Sequence, residues 1–175
     1  MSSDKKPAIF VKPVVDQEVT QAKVERIYAK YKLEDFKKPV PMQFRVRYSE
    51  VDSMGIVWHG NYFSWFEMGR LEHLRQSGIS YREVVDDGYV FAVVHAECDF
   101  KHPARYDDLV TLTTAIEKVT QARIWHVYHL YRQEELLAVG RTVIVTLDQN
   151  GIVRRTPEWI LNLSGTNFEN EKAKK

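Results

Sequence analysis

The sequence lacks most features that mark secreted, membrane-spanning or metal-cluster proteins. Among its 175 residues Cys98 is the only cysteine, which excludes an intrachain disulfide and a thiolate metal cluster. Its place in an alternating apolar row predicts a small core residue. No apolar run approaches the ~20 residues that a membrane helix needs, and residues 1–6 lack the apolar core of a signal peptide. We therefore expect a cytoplasmic protein without a membrane span.

An excess of charge of one sign is also lacking. The chain has 25 Lys and Arg against 24 Asp and Glu, a net charge of +1, which argues against electrostatic capture of nucleic acid. The six histidines are scattered without metal-ligand spacing, and no glycine-rich phosphate loop occurs. The sequence therefore predicts neither a metal nor a cofactor.

Three zones are present along the chain. Residues 1–41 are lysine-rich and carry a marginal amphipathic helix pattern, which predicts an arm packed on the surface or on a sister subunit, or else a helix that docks a partner. Residues 42–163 have the patterning of one domain. Residues 164–175 form a short, charged tail that we expect to be flexible.

The domain predicts an α+β fold. A strand pattern over residues 42–48 precedes a long apolar helix over residues 61–77. The apolar residues of this helix cover more than one stripe of its surface, so we expect other elements to pack on several of its sides. Gly78 is placed to end this helix, and Ser80 with Glu83 predicts a capping box for a short second helix. Four strand patterns follow, with gaps short enough for hairpins, so most of the sheet is expected to be antiparallel. These strands are predicted near residues 94–100, 110–116, 123–131 and 137–147.

The segment from Tyr48 to Arg70 is the most informative part of the chain. Asp52 follows a short strand-like run, Gly55 indicates a turn, and His59 comes just before the helix that begins near Asn61. Free backbone N–H groups at a helix start favour developing negative charge. A carboxylate beside them can act on a carbonyl as nucleophile or general base.

This segment resembles the 4-hydroxybenzoyl-CoA thioesterase family of hot-dog-fold proteins, and most closely its small bacterial acyl-CoA thioesterase branch, the Tol–Pal-associated enzymes. The matching positions are Arg47, Tyr48, Asp52, Gly55, Ile56, Val57, Trp58, His59, Tyr62, Glu67 and Arg70. The likeness continues at residues 100–108 and 154–157. One departure is Val51, where the family usually has a threonine whose hydroxyl could help hold the loop.

The resemblance implies a curved antiparallel sheet around a central helix, and an acyl-CoA thioesterase that releases a free acid and CoA. CoA is then part of the substrate, not a cofactor. The resemblance assigns Asp52 as nucleophile or general base, and His59 as a catalytic or orienting residue. We expect backbone N–H groups near Asn61 and Tyr62 to bind the thioester oxygen. Hot-dog domains usually dimerise edge to edge with the active site at the interface, so a homodimer or homotetramer is expected.

Other charged residues are weaker candidates. Glu50 competes with Asp52 but is expected to face solvent or a partner, and Glu67 with Arg70 is expected to form a structural ion pair. The phosphates of CoA call for surface cations, for which Arg123, Arg154 and Arg155 are candidates.

Two other functions remain open at the level of sequence. The domain could be a non-catalytic module that binds an acyl thioester or a protein, or a hot-dog dehydratase, although His59 lacks the downstream spacing typical of dehydratases. The acyl group, and the choice between CoA and an acyl carrier protein, stay open as well.

Overall fold

A computed structural model describes residues 38–164. The helix predicted in the N-terminal extension and the tail beyond Ser164 therefore lie outside the described residues. Within this range the elements are β1 Val40–Arg45, a 3-10 turn at Tyr48–Glu50, α1 Asn61–Gln76, α2 Tyr81–Asp86, β2 Tyr89–Phe100, β3 Leu109–Val119, β4 Arg123–Arg132, β5 Glu135–Asp148 and α3 Glu158–Ser164. The predicted α+β layout is confirmed.

The five strands form one antiparallel sheet in the order β1-β3-β4-β5-β2. Tight turns join β3 to β4 and β4 to β5, as the short gaps predicted, and Gln133 adopts a positive φ of 54° in the second turn. Strand β2 lies at one edge of the sheet, beside β5, and β1 lies at the other edge. The long edge strand β2 leaves one side of its backbone unpaired in the described residues, which bears on assembly below.

Helix α1 packs on the sheet through a single stripe, not on several sides as its composition predicted. The fully buried positions recur three or four residues apart, and they are Tyr62, Trp65, Phe66, Gly69 and His73. The flanking apolar residues Phe63, Met68, Leu71 and Leu74 are only half-buried. The prediction failed because the number of apolar residues in a helix does not show how many other elements of the same chain pack against it.

Close packing of Phe66 fixes the position of α1 over the sheet. Its ring stacks on that of Tyr128 in β4, with centroids 4.3 Å apart. On β5 a Cβ at Gly140 would come within 2.2 Å of the same ring. Strand β5 therefore needs glycine here, because only a bare backbone leaves room for the aromatic stack.

The ends of the elements are largely as predicted. Gly78, with φ of +80°, follows the end of α1, and Ser80 and Glu83 form the expected capping box. Strand β1 ends at Arg45 instead of residue 48, because the Glu50 carboxylate accepts the Arg47 N–H at 2.7 Å and bends the chain into the 3-10 turn.

Strand β2 is longer than predicted, and helix α3 was not predicted at all. Strand β2 begins at Tyr89, directly after the turn at Gly88, and not near residue 94. Helix α3 was not predicted because its seven residues give too short a periodic pattern, yet its Ile160 is buried in a second apolar cluster with Ile116, Ile124 and Ile144.

Candidate active site

A short antiparallel ladder holds the loop that carries Asp52. The Trp58 N–H donates to the Glu50 carbonyl, Val51 bridges Val57, and the Asp52 N–H donates to the Ile56 carbonyl at 2.8 Å. Gly55 makes the turn with φ of +75°, a conformation that favours glycine. Val51 also packs against the core. Backbone pairing and apolar packing thus support this loop, where the family would use a threonine hydroxyl.

The Asp52 side chain is partly buried, and one of its carboxylate oxygens accepts a hydrogen bond. Its Oδ1 accepts the Met54 N–H at 2.8 Å, the pattern of an Asx turn. Among residues 38–164 the second carboxylate oxygen has no hydrogen-bond partner. Asp52 therefore shapes its own turn and still presents one oxygen for chemistry.

Glu50 is buried, which corrects the expectation that it faces solvent or a partner. Its Oε2 accepts the Arg47 N–H, and its Oε1 accepts the Trp65 indole N–H at 3.0 Å and the Arg47 guanidinium at 2.8 Å. Burial alone would raise the pKa of Glu50, but these hydrogen bonds and the nearby Arg47 charge together lower it. The residue is an ionised clamp between the loop and α1, and not a rival to Asp52.

The start of α1 presents free donors one or two residues earlier than predicted. The Asn61 N–H donates to the Trp58 carbonyl at 2.9 Å, and the Tyr62 N–H donates to the His59 carbonyl at 3.3 Å. Neither the His59 nor the Gly60 N–H has an acceptor within residues 38–164. The available donors are therefore those of His59 and Gly60, because the tight turn consumes those of Asn61 and Tyr62.

The side chains of the predicted site residues have different surroundings. His59 is exposed beside the Trp58 ring, with ring centroids 5.0 Å apart. The Asn61 amide donates to the Glu50 carbonyl at 2.8 Å, which anchors the helix start to the loop. Tyr62 is buried, and burial raises its pKa. Its ring packs edge-on against Phe100, which places it in the core below the site.

The segment between β2 and β3 supports the loop from outside. The Val57 N–H donates to the Ala104 carbonyl at 2.9 Å, and the Arg105 guanidinium donates to the Gly55 carbonyl at 3.3 Å. The backbone N–H of Arg105 in turn donates to the Asp108 carboxylate, which also pairs with Arg132 at 2.7 Å. The sequence marked residues 100–108 as part of the family likeness, but it gave no signal that Arg105 would hold the turn at Gly55.

The three arginines predicted to bind CoA do not lie near Asp52 in the same chain. Arg123 begins β4, whereas the Asp52 loop contacts the connection that leads into β3, next to the far end of β4. Arg154 lies over the Tyr89 ring at the start of β2, 5.5 Å from its centroid, and Arg155 is its exposed neighbour. All three therefore lie at the opposite end of the sheet from Asp52.

Other candidate groups are separate from the loop. Glu67 and Arg70 do not form the expected ion pair, because Arg70 donates instead to the Tyr128 hydroxyl at 3.1 Å. Cys98 packs against the core as predicted, and burial raises its pKa to about 12. Within residues 38–164 no group of three or more His, Cys, Asp or Glu could hold a metal, and no helix is long and apolar enough to cross a membrane.

Comparisons with known proteins agree with this geometry. Residues 54–139 match the family model described as the thioesterase superfamily. A putative esterase of Aquifex aeolicus is 30% identical over 68% of this chain and 92% of its own length. The putative acyl-CoA thioesterase YneP of Bacillus subtilis is 32% identical over 57% of this chain and 72% of its own. The crystal structure of a probable thioesterase from Bartonella henselae superposes with a TM-score of 0.66 at 31% identity, covering 69% of this chain and all of that one.

Proposed function

Because the chain belongs to the thioesterase superfamily, with its hot-dog fold, and acts as a thioester hydrolase, we propose that it cleaves acyl-CoA with the Asp52 carboxylate. The observation that carries this proposal is the ladder of residues 50–58. It holds a carboxylate with one uncommitted oxygen next to a helix start that has unused N–H donors. A nucleophile or base beside an oxyanion site is what acyl transfer requires.

Two routes are compatible with this arrangement. As nucleophile, an Asp52 oxygen forms a bond to the thioester carbonyl carbon, the C–S bond breaks, CoA leaves as the thiolate, and water then hydrolyses the mixed anhydride. As general base, Asp52 takes a proton from water that attacks the same carbon, and the proton passes to the departing thiolate. A rapid-mixing burst of free CoA equal to the enzyme concentration, with an acylated Asp52 peptide in mass spectrometry, identifies the first route.

The test of Asp52 uses two substitutions with different effects on the turn. Asp52→Asn keeps an oxygen for the Met54 N–H and removes only the charge, whereas Asp52→Ala removes both. We expect both variants to fold and to lose thiol release from a panel of short, long and aromatic acyl-CoAs. Activity of Asp52→Asn close to that of the wild type would contradict the catalytic role and favour a non-catalytic binding module.

We propose the backbone N–H of His59, with that of Gly60 behind it, as the site of the thioester oxygen. Position 59 is the second residue of the turn closed by Asn61 N–H and Trp58 carbonyl, where proline is well tolerated. His59→Pro therefore deletes this N–H with little change of backbone, and the matched His59→Ala keeps the N–H while deleting the imidazole. We expect His59→Pro to lose about 10²- to 10³-fold in kcat beyond His59→Ala. Equal activities would rule out this donor.

The arginines at the far end of the sheet fit a site shared by two chains. Strand β2 is an edge with exposed apolar side chains at Val93 and Val94, and such edges are usually covered or paired. If two β2 strands pair antiparallel, the start of one lies opposite the end of the other. Arg154 lies over Tyr89 at the start of β2, so in such a pair it lies beside the end of the partner's β2 strand. The end of β2 packs against α1 near the Asp52 loop, so Arg154 then lies close to the Asp52 loop of the partner chain. We therefore propose a homodimer in which Arg154 and Arg155 of one chain bind the CoA phosphates of the other chain's substrate.

Solution mass and mixed dimers test this assembly. Val94→Lys should yield monomers by light scattering and lose activity, whereas Leu109→Lys, at an exposed position of β3 that β4 and β5 separate from β2, should do neither. The mixing test uses two kinds of inactive chain, one with Asp52→Asn and one with both Arg154→Ala and Arg155→Ala. If the site is shared, each heterodimer regains one intact site, with Asp52 from the second chain and both arginines from the first. No gain of activity on mixing folded, exchanging chains would contradict the shared site. The cytoplasmic location and the carrier, CoA or acyl carrier protein, stay predictions.

A further inference from the structure

A cavity far from Asp52 along α1 has apolar walls and a polar floor. Its volume is about 270 Å³, and its apolar lining includes Phe91, Ile116, Ile124 and Ile144. Arg70, His73 and His126 also line it. At 1.5 Å per residue, Arg70 and His73 lie about 14 and 18 Å along the helix from Asn61. The hydrolytic proposal above uses none of these residues.

Arg70 is a cation that a hydrogen bond to a neutral hydroxyl holds in place. Its guanidinium donates to the Tyr128 hydroxyl, which shares a 2.7 Å hydrogen bond with the Thr142 hydroxyl, so both groups are held in place. Within residues 38–164 no carboxylate lies within ion-pair distance of Arg70. Glu67 lines the same cavity but is exposed, so its charge is hydrated.

The two imidazoles place buried polar atoms in the cavity wall. His73 is 3% and His126 is 6% exposed, and Nδ1 of each ring is buried with no hydrogen bond in the part of the chain that the structure describes. Buried polar atoms in proteins usually have a partner, so unpaired ones in a cavity wall call for a ligand. Burial is the main cause that lowers the pKa of His126 and of His73; cationic neighbours, Arg70 and His73 for the first and Lys38 for the second, lower each pKa further. The surroundings are therefore electropositive.

We propose that this cavity binds an apolar molecule that carries a carboxylate, with the carboxylate on Arg70 and the imidazoles and the apolar body among the isoleucines. An isolated, oriented guanidinium is the side chain best suited to a carboxylate in a low-dielectric site. Two kinds of molecule offer such a carboxylate: a free carboxylic acid, and an acyl thioester whose acyl chain ends in a second, distal carboxylate. Binding of the free acid does not depend on hydrolysis at Asp52.

The test is calorimetric titration of the full chain with straight-chain and aromatic carboxylates, each beside its matching primary alcohol. The wild type should bind at least one carboxylate at least tenfold more tightly than its alcohol. Arg70→Met, which keeps the length of the side chain, should abolish that preference. Arg75→Met is the matched control, because this exposed arginine of the same helix pairs with Glu72 outside the cavity.

His126→Phe keeps a ring in the wall and removes both ring nitrogens, so it should weaken carboxylate binding several-fold while the chain remains folded by circular dichroism. Equal affinity for acid and alcohol, an unchanged preference in Arg70→Met, or no binding by the folded chain would each overturn the proposal. None of these results depends on turnover, so they are independent of the thioesterase assignment.

Hydrolysis then separates the two sources. If the distal end of the substrate occupies the cavity, Arg70→Met should lower kcat/KM for a dicarboxylic mono-CoA thioester at least tenfold and leave the unsubstituted chain of equal length unchanged. If a free acid occupies it, Arg70→Met should change neither kcat/KM, while the calorimetric preference for carboxylates is still lost.

Discussion

The clamp made by Glu50 gives a sharp test of what holds the loop that carries Asp52. Each oxygen of its carboxylate receives a buried or partly buried N–H, Oε2 that of Arg47 and Oε1 that of Trp65. Glu50→Gln keeps the shape of the side chain but offers one oxygen only. In either orientation of the amide, one of the two N–H donors must then face an NH₂ group.

A donor left without an acceptor in the interior costs about 1–3 kcal/mol. We therefore expect Glu50→Gln to lower the free energy of unfolding by about 2 kcal/mol, which moves a urea midpoint by about 1 M for a slope of about 2 kcal/mol/M. The control is Glu72→Gln, which breaks an ion pair with the exposed Arg75 on the surface of α1. Such surface pairs contribute about 0–1 kcal/mol.

The pH dependence gives the same prediction a second measurement. The pKa of Glu50 is lowered in the folded chain, so its stabilising effect is complete above the unfolded value of about 4.3 and is lost as the pH falls through the folded value. The difference between wild type and Glu50→Gln should therefore shrink below about pH 4. A variant as stable as Glu72→Gln at pH 7, or a difference that does not change with pH, would refute this account of the clamp.

Further predictions concern packing and buried histidines. Gly140→Ala should destabilise the fold by about 1–3 kcal/mol, because its Cβ would meet the immobile Phe66 ring; Gly60→Ala should cost less, since the Trp58 ring that it meets is exposed and can move. Equal losses in urea unfolding would contradict this reasoning. The pKa of His126 is lowered chiefly by burial, so the unfolded state binds its proton first and stability should fall as the pH drops below about 6.5, by up to about 1.4 kcal/mol per pH unit. His126→Phe should reduce that slope and leave the part due to His73, whose pKa burial also lowers; an unchanged slope would exclude His126 as a source.

The sequence predicted the fold where local signals were strong. The capping box at Ser80, the turn at Gly78 and the hairpins come from chemistry that acts over a few residues, and they were confirmed. The extent of burial around α1 and the seven-residue helix α3 depend on what distant strands place nearby, so no local pattern predicted them.

The sequence indicated the loop of Asp52 as a candidate site, but it did not indicate which backbone groups of that loop are hydrogen-bonded. Asp52 was recognisable as a candidate because it stands before a turn and a helix in a contiguous segment that resembles the family motif, and its catalytic role stays a prediction. The role of Glu50 was missed because its partner Trp65 is fifteen residues away on a helix face. The sequence indicated the N–H groups of Asn61 and Tyr62 as donors to the thioester oxygen. Only the hydrogen bonds of the turn reveal that these two groups are already bonded.

The ladder that carries Asp52 has a consequence for how the protein folds. Its contacts join residues at most eight positions apart, from Arg47 with Glu50 to Glu50 with Trp58, so closing it costs little chain entropy. The cavity wall draws on more of the chain: Ile116 and Ile124 lie on the β3–β4 hairpin, but Phe91 on β2 and Ile144 on β5 are 53 positions apart. We expect the ladder itself to close early, whereas its anchors on Trp65 and Ala104, like the cavity wall, form only as α1 and the sheet assemble. The shape of the cavity can therefore change through substitutions in β3, β4 and β5 without rebuilding the ladder that carries Asp52.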